Sequence, residues 1–192
     1  MTQIALFASG SGTNVENIAK YFTNNPNIKV SLIVSNNPQA YVHKRASSLN
    51  IPSYSFSNDS FKDGNELIQL LVTYKIDYIV LAGFLLKIPE VLINRYPKKI
   101  INIHPALLPK HGGKGMYGDH VHKKVVEMGD IESGITIHYV NEKYDEGEII
   151  FQESCVVEPG DSYEDVAKKV HALEYAHFPR VIENVIHSQL SK

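Results

Sequence analysis

The chain has 192 residues, 43% hydrophobic and 21% charged, enough to bury one sizeable core. A net charge of −2 without a long basic run excludes an electrostatic footprint for nucleic acid or an anionic membrane. No apolar run approaches the roughly 20 residues of a membrane span, and the single cysteine, Cys155, excludes an internal disulfide framework.

The start, MTQIALFASGSG, has no basic leader region and turns glycine-rich after one strand-length run, so it reads as a first strand rather than a signal peptide. Expected strands follow at Ile4–Ala8, Val30–Ser35, Ser53–Phe56, Tyr78–Ala82 and Ile100–Ile103. Between them, amphipathic stretches predict helices over Thr13–Tyr21, Ala40–Leu49, Gly64–Tyr74 and Pro89–Arg95. That alternation predicts an α/β fold with a doubly wound, mostly parallel sheet and right-handed crossovers. After Asp130 the pattern changes to two strands, Gly134–Val140 and Glu148–Val157, joined by a short connection and expected to be antiparallel. The stretch PGDSYEDVAKK then opens a final helix capped by Asp161 or Ser162 and expected to run to about Ile186. No repeat or linker interrupts the chain, so residues 1–192 read as one domain.

Two stretches carry chemistry. In FASGSGTN, a glycine turn leads from strand to helix, where exposed amides and the helix dipole favour an anion. The third glycine of a dinucleotide fingerprint is missing, with Val15 in its place, and no Gly-Lys-Ser/Thr of a nucleotide-triphosphate loop follows. A mononucleotide-sized phosphate fits this loop, and so does a plain turn feeding a helix capped by Thr13. In IINIHPALLPKHGG, Asn102 and His104 lie two apart and therefore share one face of a strand. Pro105 keeps His104 extended at the strand's carboxyl end, where open α/β sheets bind ligands. An amide can donate to a developing oxyanion and an imidazole can move a proton near neutral pH. Satisfying backbone groups at a strand end explains the pair equally well.

Asp145, in the turn NEKYDEGEII, is placed to orient that imidazole and raise its pKa, or to be a solvated turn residue. His138 shares a face with Thr136 and Val140 and reads equally as a core histidine. His111, His120 and His122 fall in a glycine-rich loop without paired cysteines or spaced carboxylates, so no metal site is expected.

SGSGTN, VLAGFLLKIP, NIHPALLPKHGGKGMYG, GITIHYVNEKYDEGEII and LEYAHFP together resemble one family over nearly the whole chain, the folate-dependent phosphoribosylglycinamide formyltransferases. The resemblance implies a single formyltransferase-fold domain, Rossmann-like in its N-terminal half, with 10-formyltetrahydrofolate as co-substrate and no metal. It implies that Asn102, His104 and Asp145 are catalytic. Ser11, Gly12, Thr13 and Asn14 would take the ribonucleotide phosphate, with Gly12 needed for its close approach, and Glu174 the glycinamide end. Leu85, Leu86, Lys87 and Ile88, with Asn141, Glu142, Lys143 and Tyr144, would line the pterin pocket. Bacterial members often read MRIL where this chain has LLKI, a change of small consequence where backbone atoms make the contacts. Lys62 is the candidate for the folate tail, Leu108-Pro109 is expected to be cis, and residues 111–119 are expected to form a lid.

Within the same superfamily, a methionyl-tRNA formyltransferase would need a further C-terminal domain and a basic surface. A formyltetrahydrofolate hydrolase would carry an N-terminal regulatory domain. The expectation is a cytoplasmic enzyme of small-molecule substrates without nucleic-acid or membrane partners, acting as a monomer or weak homodimer.

Overall fold

The structure is a computed structural model that describes residues 1–190, in two compact units, Met1–Ile101 and the residues from Asn102 onward. The first contains β1 (Thr2–Phe7), α1 (Thr13–Phe22), β2 (Ile28–Ser35), α2 (Val42–Ser48) and β3 (Ser53–Ser55). It continues with α3 (Asn58–Asp63), α4 (Asn65–Thr73), β4 (Tyr78–Leu81), α5 (Glu90–Arg95) and the start of β5 (Ile100–His104). Strands β3-β2-β1-β4 lie in that order, and every pair among them is parallel. All four residues of β4 are buried, as a parallel strand covered on both faces requires. Helix α1 forms because Val15, Ile18, Ala19 and Phe22 recur at helical spacing, and all four are buried.

Helix α3 departs from expectation, since the polar run Ser57-Asn58-Asp59-Ser60 resembles a loop. Ser57 caps it by accepting from the Ser60 amide at 3.2 Å, and buried Phe61 anchors it against Phe7 and Phe84. Gly64, at φ 76°, ends α3 and begins α4.

The second unit contains the end of β5, then α6 (Asp119–Glu127), β6 (Glu132–Tyr139), β7 (Ile149–Val156) and α7 (Tyr163–Leu190). Its strand order is β5-β6-β7, and β6 and β7 are antiparallel with Thr136 opposite Gln152. The fold class is the expected α/β one: a mostly parallel sheet, antiparallel C-terminal strands and a long final helix. Helix α6 corrects the expected glycine-rich loop at His120 and His122. Only glycines up to Gly118 belong to that loop, and Val121, His122 and Val125 then form a buried helical face. Helix α7 outlasts its expected end at Ile186, reaches Leu190 and contains Pro179. Ser162 begins it with a reciprocal box: its hydroxyl accepts from the Asp165 amide at 3.2 Å, while Asp165 accepts from the Ser162 amide at 3.0 Å. Val166, Val170, Phe178, Ile182 and Ile186 form a buried stripe at four-residue spacing, into which Glu174 falls.

Candidate active site

In the second unit, β5 carries Asn102 and His104, β6 carries Thr136 and His138, and the β6–β7 turn carries Asp145. The Asp145 carboxylate lies between two imidazoles, with Oδ2 3.6 Å from His104 Nδ1 and Oδ1 3.7 Å from His138 Nε2. The Gly113 amide donates to Oδ2 at 2.9 Å. Asp145 itself has a left-handed backbone, φ 55°, a conformation that costs a non-glycine residue and places its carboxylate here rather than in solvent. Asn141 shapes the turn from within: its amide donates to the Glu146 carbonyl at 3.1 Å and its oxygen accepts from the Lys143 amide at 2.9 Å.

The two histidines are held differently. His104 is buried, and its Nε2–H donates to the His111 carbonyl at 2.8 Å, leaving Nδ1 toward Asp145. Once protonated, both ring nitrogens would face acceptors. Burial nonetheless pushes the His104 pKa below its ordinary value, against the upward pulls of Asp145 and the His111 carbonyl. The expected rise is therefore corrected: Asp145 does raise it, but desolvation is larger. For Asp145, burial raises the carboxyl pKa. The imidazoles of His138 and His104 and the Gly113 amide overcome this and hold it below the usual carboxylate value.

His138 is the residue whose role the sequence leaves open. Its Nδ1–H donates to the Tyr139 carbonyl at 2.9 Å, so Nε2 is the acceptor for the Asn102 amide at 3.0 Å. That bond uses one of the two Asn102 amide hydrogens and fixes the direction of the other. Thr136, two residues back, donates to the Ala106 carbonyl at 2.7 Å and accepts from the Leu108 amide at 2.9 Å. Gln152 donates to Thr136 and to the Leu108 carbonyl, so β6 and β7 hold the segment after His104 in place. Leu108-Pro109 is cis, as expected. The stretch expected as a lid starts out pinned: Lys110 and His111 each donate to Asp130 at 2.6 Å, and Gly113 is bonded to Asp145. Glu174 is buried on α7.

In the first unit, the glycine turn corrects one expectation. Gly12, not Thr13, is the N-cap of α1, and Thr13 is its first helical residue with no side-chain cap bond. Glycine at 12 is required by its own packing before any ligand: φ is 72°, and a Cβ would lie 2.7 Å from the Val42 Cβ. Gly10, by contrast, has open space where a Cβ would stand. Ser11 is exposed and Thr13 half-buried, while Asn14 lies on the buried face of α1. The turn after β4 meets this loop: the Ser9 amide donates to the Gly83 carbonyl and the Ser9 hydroxyl accepts from the Leu85 amide, both at 2.9 Å. Two turns at the carboxyl ends of adjacent parallel strands, β1 and β4, are thereby joined. Leu85 and Lys87 are exposed, Leu86 half-buried and Ile88 buried, while Asn141, Glu142, Lys143 and Tyr144 are all exposed. Lys62 is exposed on α3, 3.9 Å from Asp59. Among the described residues no group of three or more metal-ligating side chains converges, and no helix is long and apolar enough to cross a membrane.

The formyl transferase family profile matches residues 2–182. The chain is 40% identical over 186 residues to the chloroplastic phosphoribosylglycinamide formyltransferase of Arabidopsis thaliana, covering 94% of this chain and 64% of that protein. To the phosphoribosylglycinamide formyltransferase of Bacillus subtilis it is 35% identical over 191 residues, covering 97% of this chain and 95% of that one. The crystal structure of glycinamide ribonucleotide transformylase 1 from Geobacillus kaustophilus superposes with a TM-score of 0.87 at 34% identity, over 95% of this chain and 97% of that one. That of the Bacillus halodurans phosphoribosylglycinamide formyltransferase gives 0.88 at 31% identity, over 96% and 95% of the two chains. Carrying this fold, and similar to these proteins along almost its whole length, the chain belongs to the phosphoribosylglycinamide formyltransferase family.

Proposed function

We propose that the chain transfers the formyl group of 10-formyltetrahydrofolate to the amine of N1-(5-phospho-D-ribosyl)glycinamide, giving the N2-formyl product of purine biosynthesis. The observation that supports it most is the carboxylate of Asp145 standing between His104 and His138, with Asn102 oriented by His138. In this reading the amine attacks the formyl carbon, and the second amide hydrogen of Asn102 donates to the oxyanion that forms. Donors aimed in advance at such an oxygen are worth about 3 kcal/mol of barrier each. Neutral His104 takes the proton the amine loses, and the resulting imidazolium, stabilised by Asp145 and the His111 carbonyl, returns it to the departing folate nitrogen.

The phosphate rests on the Ser11–Asn14 segment, where amides at a helix N-terminus suit a dianion, and Glu174 takes the glycinamide end. The pterin rests on Leu85–Ile88 and on Asn141–Tyr144. The enzyme works in the cytoplasm on small molecules, without nucleic acid or metal, as a monomer or weak homodimer.

Purified protein with glycinamide ribonucleotide and 10-formyltetrahydrofolate, followed by folate absorbance, tests the reading. Folate release that depends on the nucleotide and gives a formylated nucleotide is expected. Release of formate without nucleotide would show a hydrolase instead.

A further inference from the structure

Helix α2 holds the glycine turn from the side opposite to its amides. The Val42 amide donates to the Gly10 carbonyl at 3.2 Å, and Arg45 Nε donates to the Ser11 carbonyl at 2.9 Å. The peptide bonds after Gly10 and Ser11 are trans, and in a trans peptide the carbonyl and the next N–H point in opposite directions. Fixing these two carbonyls toward α2 therefore aims the Ser11 and Gly12 amides away from it. Successive amides aimed one way are what an anion needs from a loop. The same guanidinium pairs with Glu16 in the first turn of α1, and the other Glu16 oxygen lies 2.6 Å from Lys20 Nζ. An unscreened carboxylate in that turn would repel a dianion at the same helix end. The Tyr41 ring, 5.1 Å from the Arg45 guanidinium carbon, covers the cation.

We propose that Arg45 is a positioning residue for the nucleotide phosphate. It fixes the peptide plane that aims the Gly12 amide, and it neutralises Glu16 beside the phosphate. This rests on the reading of Ser11–Asn14 as the phosphate site. Only a forked guanidinium can serve the Ser11 carbonyl and Glu16 together, so lysine replaces one contact at a time.

The test is steady-state kinetics of Arg45→Met and Arg45→Lys with both substrates varied, beside calorimetric titration of glycinamide ribonucleotide into each protein. For Arg45→Met the nucleotide KM and Kd should rise about tenfold or more, with kcat at saturating nucleotide and the folate KM within about twofold of the parent. Arg45→Lys should fall between parent and Arg45→Met. A nucleotide KM within about twofold of the parent in Arg45→Met, or equal increases in both KM values, would overturn the proposal. Should Arg45→Met fail to fold, Arg45→Lys decides by the same two criteria. A parent that binds no nucleotide in the calorimeter would overturn the phosphate reading itself, whatever Arg45 does.

Discussion

Asp145 is the residue on which the charges of the site meet. Two imidazoles and one amide surround it, and its left-handed backbone turns the carboxylate toward them. Asp145→Asn should lower kcat by about a hundredfold or more while leaving nucleotide affinity near that of the parent, since the carboxylate acts on His104 as charge develops. An unchanged kcat in that variant would reduce Asp145 to a turn residue. The same substitution carries a sign for His104. Burial already holds its pKa below the ordinary value, and Asp145 is the largest of the forces opposing burial. Removing the negative charge must therefore lower the His104 pKa further. NMR titration of the imidazole should show its midpoint moving to lower pH in Asp145→Asn, and a midpoint moving up would contradict this electrostatic account. Asn102 and His104 were legible because a strand has a period of two. His138 was not, because that period shows which face a side chain takes but not whether an imidazole there accepts from a neighbouring amide. The pressure of Val42 on Gly12 was invisible for a similar reason: it arrives from another element.

At the scale of elements, α1 and α4 could be read directly because each hides a regular apolar face in the core, and β4 because it is one continuous apolar run. Helix α3 escaped because one capping serine and one anchoring phenylalanine carry it, and α6 because its short buried face follows directly on a glycine-rich run. On α6, His122 is buried, its Nδ1 has no hydrogen-bond partner, and burial followed by the nearby His171 pushes its pKa down to about 4. The unfolded chain therefore binds this proton at a higher pH than the folded one. Stability from this group is complete above the ordinary imidazole value and is lost as pH falls from about 6.5 toward 4, by about 3 kcal/mol in all. Urea titrations at pH 7 and pH 4.5 should show a smaller loss in His122→Leu than in the parent, and parallel losses would show that His122 is protonated elsewhere in the range. The glycine turn gives a second test. Gly12→Val should fail to fold or lose about 2 kcal/mol or more, from backbone strain and overlap with Val42, so it cannot report on phosphate binding alone. Gly10→Ala has space for its methyl and a backbone that accepts it, so its melting temperature should stay near that of the parent.

At the scale of the whole chain, the residues proposed for the nucleotide phosphate lie in one compact unit and those proposed for chemistry in the other. Ligand-linked stability can separate the two roles. A nucleotide at a hundred times its Kd stabilises the folded state by about 2.7 kcal/mol, a rise of about 5–11 °C for a chain of this size. The parent should show that rise in a thermal melt with glycinamide ribonucleotide. Asp145→Asn should show it undiminished, because a residue that acts in the transition state contributes little to ground-state binding. Gly10→Ala should melt with the parent when free, and a smaller rise in it would put the phosphate beside Gly10. A full rise in Gly10→Ala would move the phosphate away from Gly10. A rise lost in Asp145→Asn would make that carboxylate part of nucleotide binding, and the assignment of chemistry to His104 and Asp145 would fall with it.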